Sequence, residues 1–169
     1  MSATQRIQHL VAPEFSSGLG GRDLDALRLM RTECGEVEHA VSYTRRLAQG
    51  RFEILTAEQS RRRDGGSVQD LIDDLPRILG EEHGRTSVPN TRVTTTDEPV
   101  VDLDWGPQGR LIDDDTLANL AGLSDDDLSA SVVALSDFER ELSDYRRELH
   151  RVIDAIEHEI ATRAAADVG

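Results

Sequence analysis

Lysine is absent from the sequence, so all 19 basic residues are arginines, and 33 acidic residues outnumber them. The formal net charge is -14 at pH 7. A surface this acidic repels the phosphates of DNA, RNA and anionic membranes. We therefore expect no direct contact with nucleic acid or membrane, whereas the charge is compatible with a basic protein partner.

Cysteine, aromatic residues and long apolar runs are also scarce. Cys34 is the only cysteine, which excludes an intramolecular disulfide. Aromatic residues make up 4% of the chain, so we expect long helices that bury narrow apolar stripes instead of a thick core. No apolar run approaches the roughly 20 residues of a membrane span, and no signal peptide is visible at the N-terminus. The sequence therefore predicts a cytoplasmic protein.

Two long segments show the hydrophobic periodicity of α-helices. In residues 23–64, apolar side chains recur every seven positions from Leu27 to Leu55. In residues 124–166, the seam positions follow each other in steps of four and three, as in a coiled coil. Ser124 and the three aspartates after it are typical of a helix N-terminus. The sequence predicts an all-α fold in which two long helices form an antiparallel coiled-coil hairpin.

The other segments are predicted to be tails and connections. Residues 1–22, which contain a glycine cluster, predict a flexible N-terminal arm. Residues 65–80 predict a short amphipathic helix that Pro76 kinks or divides. Residues 81–123 predict a flexible acidic linker, with one brief helical turn over residues 114–122.

Both predicted long helices carry the same polar motif. Its spacing, Glu-x3-Ser-x2-Arg-x3-Gln/His-x3-Glu/Asp, is identical in the two copies, which are offset by 101 residues from Glu38 to Glu139. The ten positions are Glu38, Ser42, Arg45, Gln49 and Glu53 in the first helix, and Glu139, Ser143, Arg146, His150 and Asp154 in the second. At about 100° per residue, each set falls on one helix face beside the apolar seam.

Two explanations of this repeat stay open on the residues alone. In the first, the glutamates and arginines pair with each other and fix the antiparallel register, since an unpaired charge at a seam is costly. In the second, the seam opens to receive a polar ligand. Arginine offers forked donors for phosphate or for guanine O6 and N7, and a carboxylate accepts from guanine N–H groups. Two copies on antiparallel helices suit a two-fold anionic ligand such as a cyclic dinucleotide.

The doubled motif resembles that of the RsiG family, the cyclic di-GMP-responsive anti-sigma factors of sporulating actinobacteria. The stretches Ser42–Leu55 and Arg146–Asp154 are also similar to that family, and the resemblance covers about half of the chain, residues 23–63 and 123–165. Two positions depart from the family motif: Glu53 stands in place of an aspartate, and His150 in place of a glutamine.

The resemblance implies a fold, a ligand and a partner. The family forms an antiparallel coiled coil that binds a dimer of cyclic di-GMP through the motif residues. In the ligand-bound state it sequesters a WhiG-type sporulation sigma factor and keeps it from RNA polymerase. The ten motif residues would accordingly be the cyclic di-GMP contacts of this chain.

No residue pattern indicates an enzyme. His158 and Glu159 begin a zinc-binding His-Glu-x-x-His string, but Thr162 stands where the second histidine is needed. We therefore predict a non-enzymatic protein with no catalytic residue, metal or cofactor. Two alternatives to a ligand-gated anti-sigma factor remain: a structural or scaffolding coiled coil without a nucleotide, and an acidic protein that binds a basic partner.

Overall fold

The computed structural model describes residues 1–80 and 98–166, and within these ranges all regular structure is helical. The α-helices of the described residues are α1 Ala3–Val11, α2 Pro13–Ser16, α3 Leu24–Asp64, α4 Val68–Gly80, α5 Asp114–Ala118 and α6 Asp125–Ala166. Short 3-10 helices cover Leu19–Gly21, Gly106–Leu111 and Leu120–Gly122. The two longest helices, α3 and α6, are in close contact as in a helical hairpin, which confirms the predicted fold class. None of the described helices combines the length and apolarity that crossing a membrane requires.

Local side-chain chemistry sets the ends of the two long helices. Asp23 caps α3, because its Oδ1 accepts from the backbone N–H of Ala26 at 2.7 Å. The helix stops where Gly65 takes a φ of 71°, a left-handed conformation that favours glycine. At the start of α6, the hydroxyl of Ser124 accepts from the backbone N–H of Asp127 at 3.1 Å. The predicted N-terminus of the second helix is therefore confirmed.

The chain divides into two compact units, and each contains a part of both long helices. The first unit comprises Met1–Tyr43, Asp97–Gly106 and Glu141–Gly169. The second comprises Thr44–Thr96 and Pro107–Arg140.

Side-chain contacts within each unit define the direction of the helix pair. In the first unit, Arg31 pairs with Glu157 at 3.0 Å, and Glu38 pairs with Arg146 at 3.2 Å. In the second unit, Arg45 pairs with Glu139 at 2.9 Å, and Gln59 donates to Ser129 at 2.9 Å. In both units the residue number falls along α6 as it rises along α3, so the helices run antiparallel. Coiled-coil supercoiling stays a prediction.

The apolar seam of the long helices forms the core. Every position of the seven-residue repeat of α3 is fully buried, namely Leu27, Cys34, Val41, Ala48 and Leu55. In α6 the apolar seam positions are buried except Val132 and Ile160, which are half-buried. Residues beside the seam, such as Val37 and Phe138, are also buried. The buried stripe is thus wider than a two-helix seam needs, because other segments also cover the helices.

The N-terminal segment, residues 1–22, was predicted to be a flexible arm, and it contains helical structure. Helix α1 begins with a capping box in which Ser2 and Gln5 bond each other reciprocally. Ile7 and Leu10 on its apolar face are completely buried. The backbone N–H of Ala3 also donates to the carbonyl of Asp104 at 2.8 Å. Through this apolar face, α1 packs against the rest of the first unit.

The segments between the long helices give a mixed outcome. Pro76 lies inside α4 and does not divide it; that it kinks the helix stays a prediction. Part of the predicted flexible linker, residues 81–97, lies outside the described residues. Its remainder, residues 98–123, contains short helices and the buried side chain of Leu103. The predicted helical turn over residues 114–122 is confirmed as α5 and the 3-10 helix that follows it.

Candidate functional site

Hydrogen bonds and ion pairs join motif residues into two polar clusters, one in each unit. We define the Glu38 cluster as Glu38, Ser42, Arg146 and His150, and the Arg45 cluster as Arg45, Gln49 and Glu139. In each cluster, an ion pair links a side chain of α3 to a side chain of α6.

A single carboxylate oxygen is the centre of the Glu38 cluster. Oε1 of Glu38 accepts from the hydroxyl of Ser42 at 2.7 Å and from Nε of Arg146 at 3.2 Å. Nε2 of His150 lies 3.1 Å from the same oxygen. The side chain of Arg146 is 46% exposed, and its two terminal nitrogens make no hydrogen bond to any residue that the structure describes. The cluster therefore holds an arginine with donors still available.

The Arg45 cluster has one ion pair across the helices and one buried donor without a hydrogen-bond partner among the described residues. Nη1 of Arg45 donates to Oε1 of Glu139 at 2.9 Å and to Oε1 of Gln49 at 3.3 Å. Nε of Arg45 is buried and has no hydrogen-bond partner in the described part of the chain. A buried donor without a partner costs about 1–3 kcal/mol and often marks a functional position.

The two ion pairs occupy equivalent positions of the repeat. Glu38 corresponds to Glu139, and Arg45 corresponds to Arg146. Each pair thus combines the glutamate of one motif copy with the arginine of the other copy. This is the pairing that the register explanation predicts. Because partly exposed pairs stabilise by only about 0–1 kcal/mol, an anionic ligand can compete for these arginines.

The three other motif residues lie on the same helices. Glu53 and Ser143 are half-buried, and Asp154 is exposed.

A charged network near the end of α3 was not foreseen from the sequence. Glu58 is only 2% exposed, and it accepts from Nε of Arg61 at 2.6 Å and from Nε of Arg62 at 2.7 Å. The hydrogen bond from Arg61 is the main reason that the pKa of the Glu58 carboxyl lies below its usual value; burial opposes this effect. The spacing of three and four residues between these side chains is the signal that could have found the network.

Arg62 connects this network to the start of α6. Its terminal nitrogens donate to the carbonyl oxygens of Leu123 at 2.7 Å and Leu120 at 3.0 Å, and to the carboxylate of Asp125 at 2.9 Å. The network thereby ties the end of α3 to the segment that begins α6.

No group of three or more His, Cys, Asp or Glu side chains within residues 1–80 and 98–166 is placed to hold a metal ion. Burial, with a smaller effect of Glu33, raises the pKa of the Cys34 thiol to about 11. A thiol with this pKa is protonated at neutral pH and is a poor nucleophile.

A helical hairpin with paired arginine–glutamate clusters on its two long helices defines a helical binding protein. The chain belongs to the RsiG-like family, whose profile matches residues 13–79 and 114–169, more than half of its length. This membership indicates an anti-sigma role, with a sigma factor as the partner, in a family that is not known for enzymes. No curated protein matches the chain.

Proposed function

We propose that this protein is an anti-sigma factor that binds cyclic di-GMP and, in that state, sequesters a WhiG-type sporulation sigma factor and represses its transcription. Membership of the RsiG-like family supports the anti-sigma part of the proposal. A cytoplasmic location belongs to the same proposal, because sigma factors and RNA polymerase act in the cytoplasm.

The observation that carries the ligand part is the unused donor capacity in both clusters. Arg146 has two terminal nitrogens without a partner among the described residues, and Arg45 has an unmet buried Nε. Cyclic di-GMP carries phosphates and guanine edges, and arginine binds both kinds of acceptor. The carboxylates of Glu38 and Glu139 would accept from guanine N–H groups.

Ligand binding exchanges one set of contacts for another in this proposal. A guanine or phosphate group takes the place of a carboxylate on each arginine, and Ser42, Gln49 and His150 adjust their hydrogen bonds to the nucleotide. Each cluster engages one nucleotide, so two clusters account for a cyclic di-GMP dimer. No cofactor is required.

Isothermal titration with cyclic di-GMP, with and without the WhiG-type sigma factor, tests the proposal. Arg45→Ala and Arg146→Ala should each weaken nucleotide binding at least tenfold, because each removes the forked donor of one cluster. Arg140→Ala and Arg147→Ala are matched controls on α6, since both arginines are exposed and pair with the nearby surface aspartates Asp137 and Asp144. The controls should bind like the wild type.

Circular dichroism then separates ligand contacts from helix stability. All four variants should keep the helical spectrum of the wild type. Unchanged nucleotide affinity in both Arg45→Ala and Arg146→Ala would contradict the assignment of the two clusters as the cyclic di-GMP site.

One observation favours a second candidate, a structural coiled coil without a nucleotide. The pairs Glu38–Arg146 and Arg45–Glu139 satisfy motif charges with each other across the two long helices. If register is their only role, the titration shows no heat with or without the sigma factor, and the arginine variants change only the stability of the hairpin.

A further inference from the structure

A second candidate binding surface lies in the second unit and shares no lining residue with the motif clusters. An apolar cleft of about 290 Å³ opens between α3, α4, α5 and the 3-10 helix that precedes α6. Its apolar lining includes Ile54, Leu71, Ile72, Leu75, Leu117 and Leu120. We call it the α4 cleft.

The apolar side of the α4 cleft is only partly covered. Ile72 is 50% exposed, and Leu71 and Leu75 are half-buried. Fully packed apolar positions elsewhere in the chain, such as Leu55 on α3, are completely buried. A group of exposed aliphatic side chains on a strongly amphipathic helix is typical of an interaction surface.

The charged residue of the lining, Glu58, is already paired within the chain. Glu58 contributes to the lining, but its two carboxylate oxygens are engaged by Arg61 and Arg62 at 2.6–2.7 Å. The cleft therefore recognises its occupant by apolar contact. Its volume is at the lower end for ligand pockets and suits a few adjacent aliphatic side chains.

The residues around the lining positions set the charge of the occupant. The short helices that supply lining residues also carry exposed aspartates: Asp73 and Asp74 on α4, and Asp113 and Asp115 at the start of α5. Asp74 also pairs with Arg77 at 3.0 Å. Helices with exposed carboxylates attract a basic partner and repel an acidic one. A second copy of this chain, with its net charge of -14, is therefore a poor occupant.

We propose that the α4 cleft is a docking site for a basic amphipathic helix of the sigma factor. The helix places apolar side chains with a spacing of three or four residues in the cleft. Its arginines or lysines pair with the exposed aspartates of α4 and α5. This inference rests on the proposed function for the identity of the partner, but it assigns a contact surface separate from the nucleotide site.

A matched pair of substitutions tests the cleft. Ile72→Glu puts a charge into the apolar lining at a half-exposed position, where folding should tolerate it. Val133→Glu is the control, because Val133 is an aliphatic residue on α6 that is 61% exposed and does not line the cleft. With the WhiG-type sigma factor and saturating cyclic di-GMP, Ile72→Glu should weaken sigma binding at least tenfold, whereas Val133→Glu should change it less than twofold.

A labelling experiment gives an independent readout of the same surface. Cys34 is fully buried and its thiol pKa is about 11, so Ile72→Cys introduces the only reactive thiol. The sigma factor should slow alkylation of Ile72→Cys by iodoacetamide at least fivefold, as measured by mass spectrometry of this chain. Alkylation of the control variant Val133→Cys should keep its rate.

The outcomes distinguish the two proposals. Wild-type protein that does not bind the sigma factor would overturn the proposed function and, with it, this assignment. Wild-type binding that is unchanged by Ile72→Glu, or equally weakened by Val133→Glu, would overturn the docking site alone. Equal alkylation of Ile72→Cys with and without the bound sigma factor would also overturn it.

Discussion

Nη1 of Arg45 donates to Oε1 of Glu139 at 2.9 Å, and this ion pair links α3 to α6 in the second unit. The equivalent residues of the repeat, Arg146 and Glu38, form the corresponding pair in the first unit at 3.2 Å. The arginine belongs to α3 in one pair and to α6 in the other. A motif that is present once on each helix thus produces the same inter-helix contact twice.

A charge swap at Arg45 and Glu139 separates the structural role of this pair from its role in ligand binding. Arg45→Glu and Glu139→Arg each place like charges together, so each should lower the free energy of unfolding by about 1 kcal/mol. The double variant restores the attraction and should recover most of that stability. It should still fail to bind cyclic di-GMP, because the arginine and the carboxylate have exchanged places. Urea denaturation and isothermal titration measure the two properties.

The pair Arg31–Glu157 provides the matched control for that swap. It also joins α3 to α6, at 3.0 Å, but it lies outside the motif. Arg31→Glu combined with Glu157→Arg should leave nucleotide binding unchanged. Wild-type nucleotide affinity in the Arg45/Glu139 double variant would show that the pair serves register only.

Helix α1 should contribute to the stability of the first unit. Ile7 is fully buried, so Ile7→Ala leaves a cavity and should lower the free energy of unfolding by about 2–5 kcal/mol. Leu29→Ala is the control on α3, because Leu29 is 71% exposed and its truncation should change stability by less than about 0.5 kcal/mol. Chemical denaturation followed by circular dichroism gives both values. Equal, small effects would mean that α1 does not pack on the rest of the unit.

The sequence predicted the long helices because their signals are local and repeated many times. The seam from Leu27 to Leu55 extends over five positions, and Ser124 with its aspartates specifies a helix start. The pairing of motif glutamates with motif arginines was one of two explanations that the sequence offered, because the motif has the same spacing on both helices. Whether those residues bind a ligand could not follow, since pairing and ligand binding require the same side chains.

The features that the sequence did not predict arise either from segments too short to show a pattern or from contacts between residues far apart in the sequence. Helix α1 has nine residues, and an apolar face of this length is too short for a clear periodicity. The contacts of Arg62 with the carbonyls of Leu120 and Leu123 bridge about sixty positions of sequence, which no local pattern reports. The α4 cleft likewise requires α3, α4 and α5 to meet, which only the tertiary structure shows.

The Glu58 network should make stability depend on acidic pH. The pKa of the folded-state carboxyl is lowered, mainly by the hydrogen bond from Arg61. Its contribution is therefore complete at neutral pH and is lost as the pH falls below the usual glutamate value of about 4.3. Glu58→Gln should cost about 1–3 kcal/mol of unfolding free energy at pH 7. At pH 3 the difference from the wild type should be smaller.

Urea titrations between pH 7 and pH 3 measure this dependence. Glu36→Gln is the control, since Glu36 is an exposed carboxylate on the same helix. Its stability curve should follow that of the wild type. A Glu58→Gln curve that stays parallel to the wild-type curve over the whole range would contradict a lowered pKa for Glu58.

Cys34 should be unreactive in the folded protein. The side chain is fully buried, and burial together with the nearby Glu33 raises the thiol pKa to about 11. At pH 8 only about one thiol in a thousand is then ionised, and the thiolate is the form that attacks a disulfide reagent. Native protein should react with Ellman's reagent far more slowly than free cysteine, and unfolding in urea should release one equivalent at the rate of an exposed thiol. Rapid reaction of the native protein would show that the seam opens at Cys34.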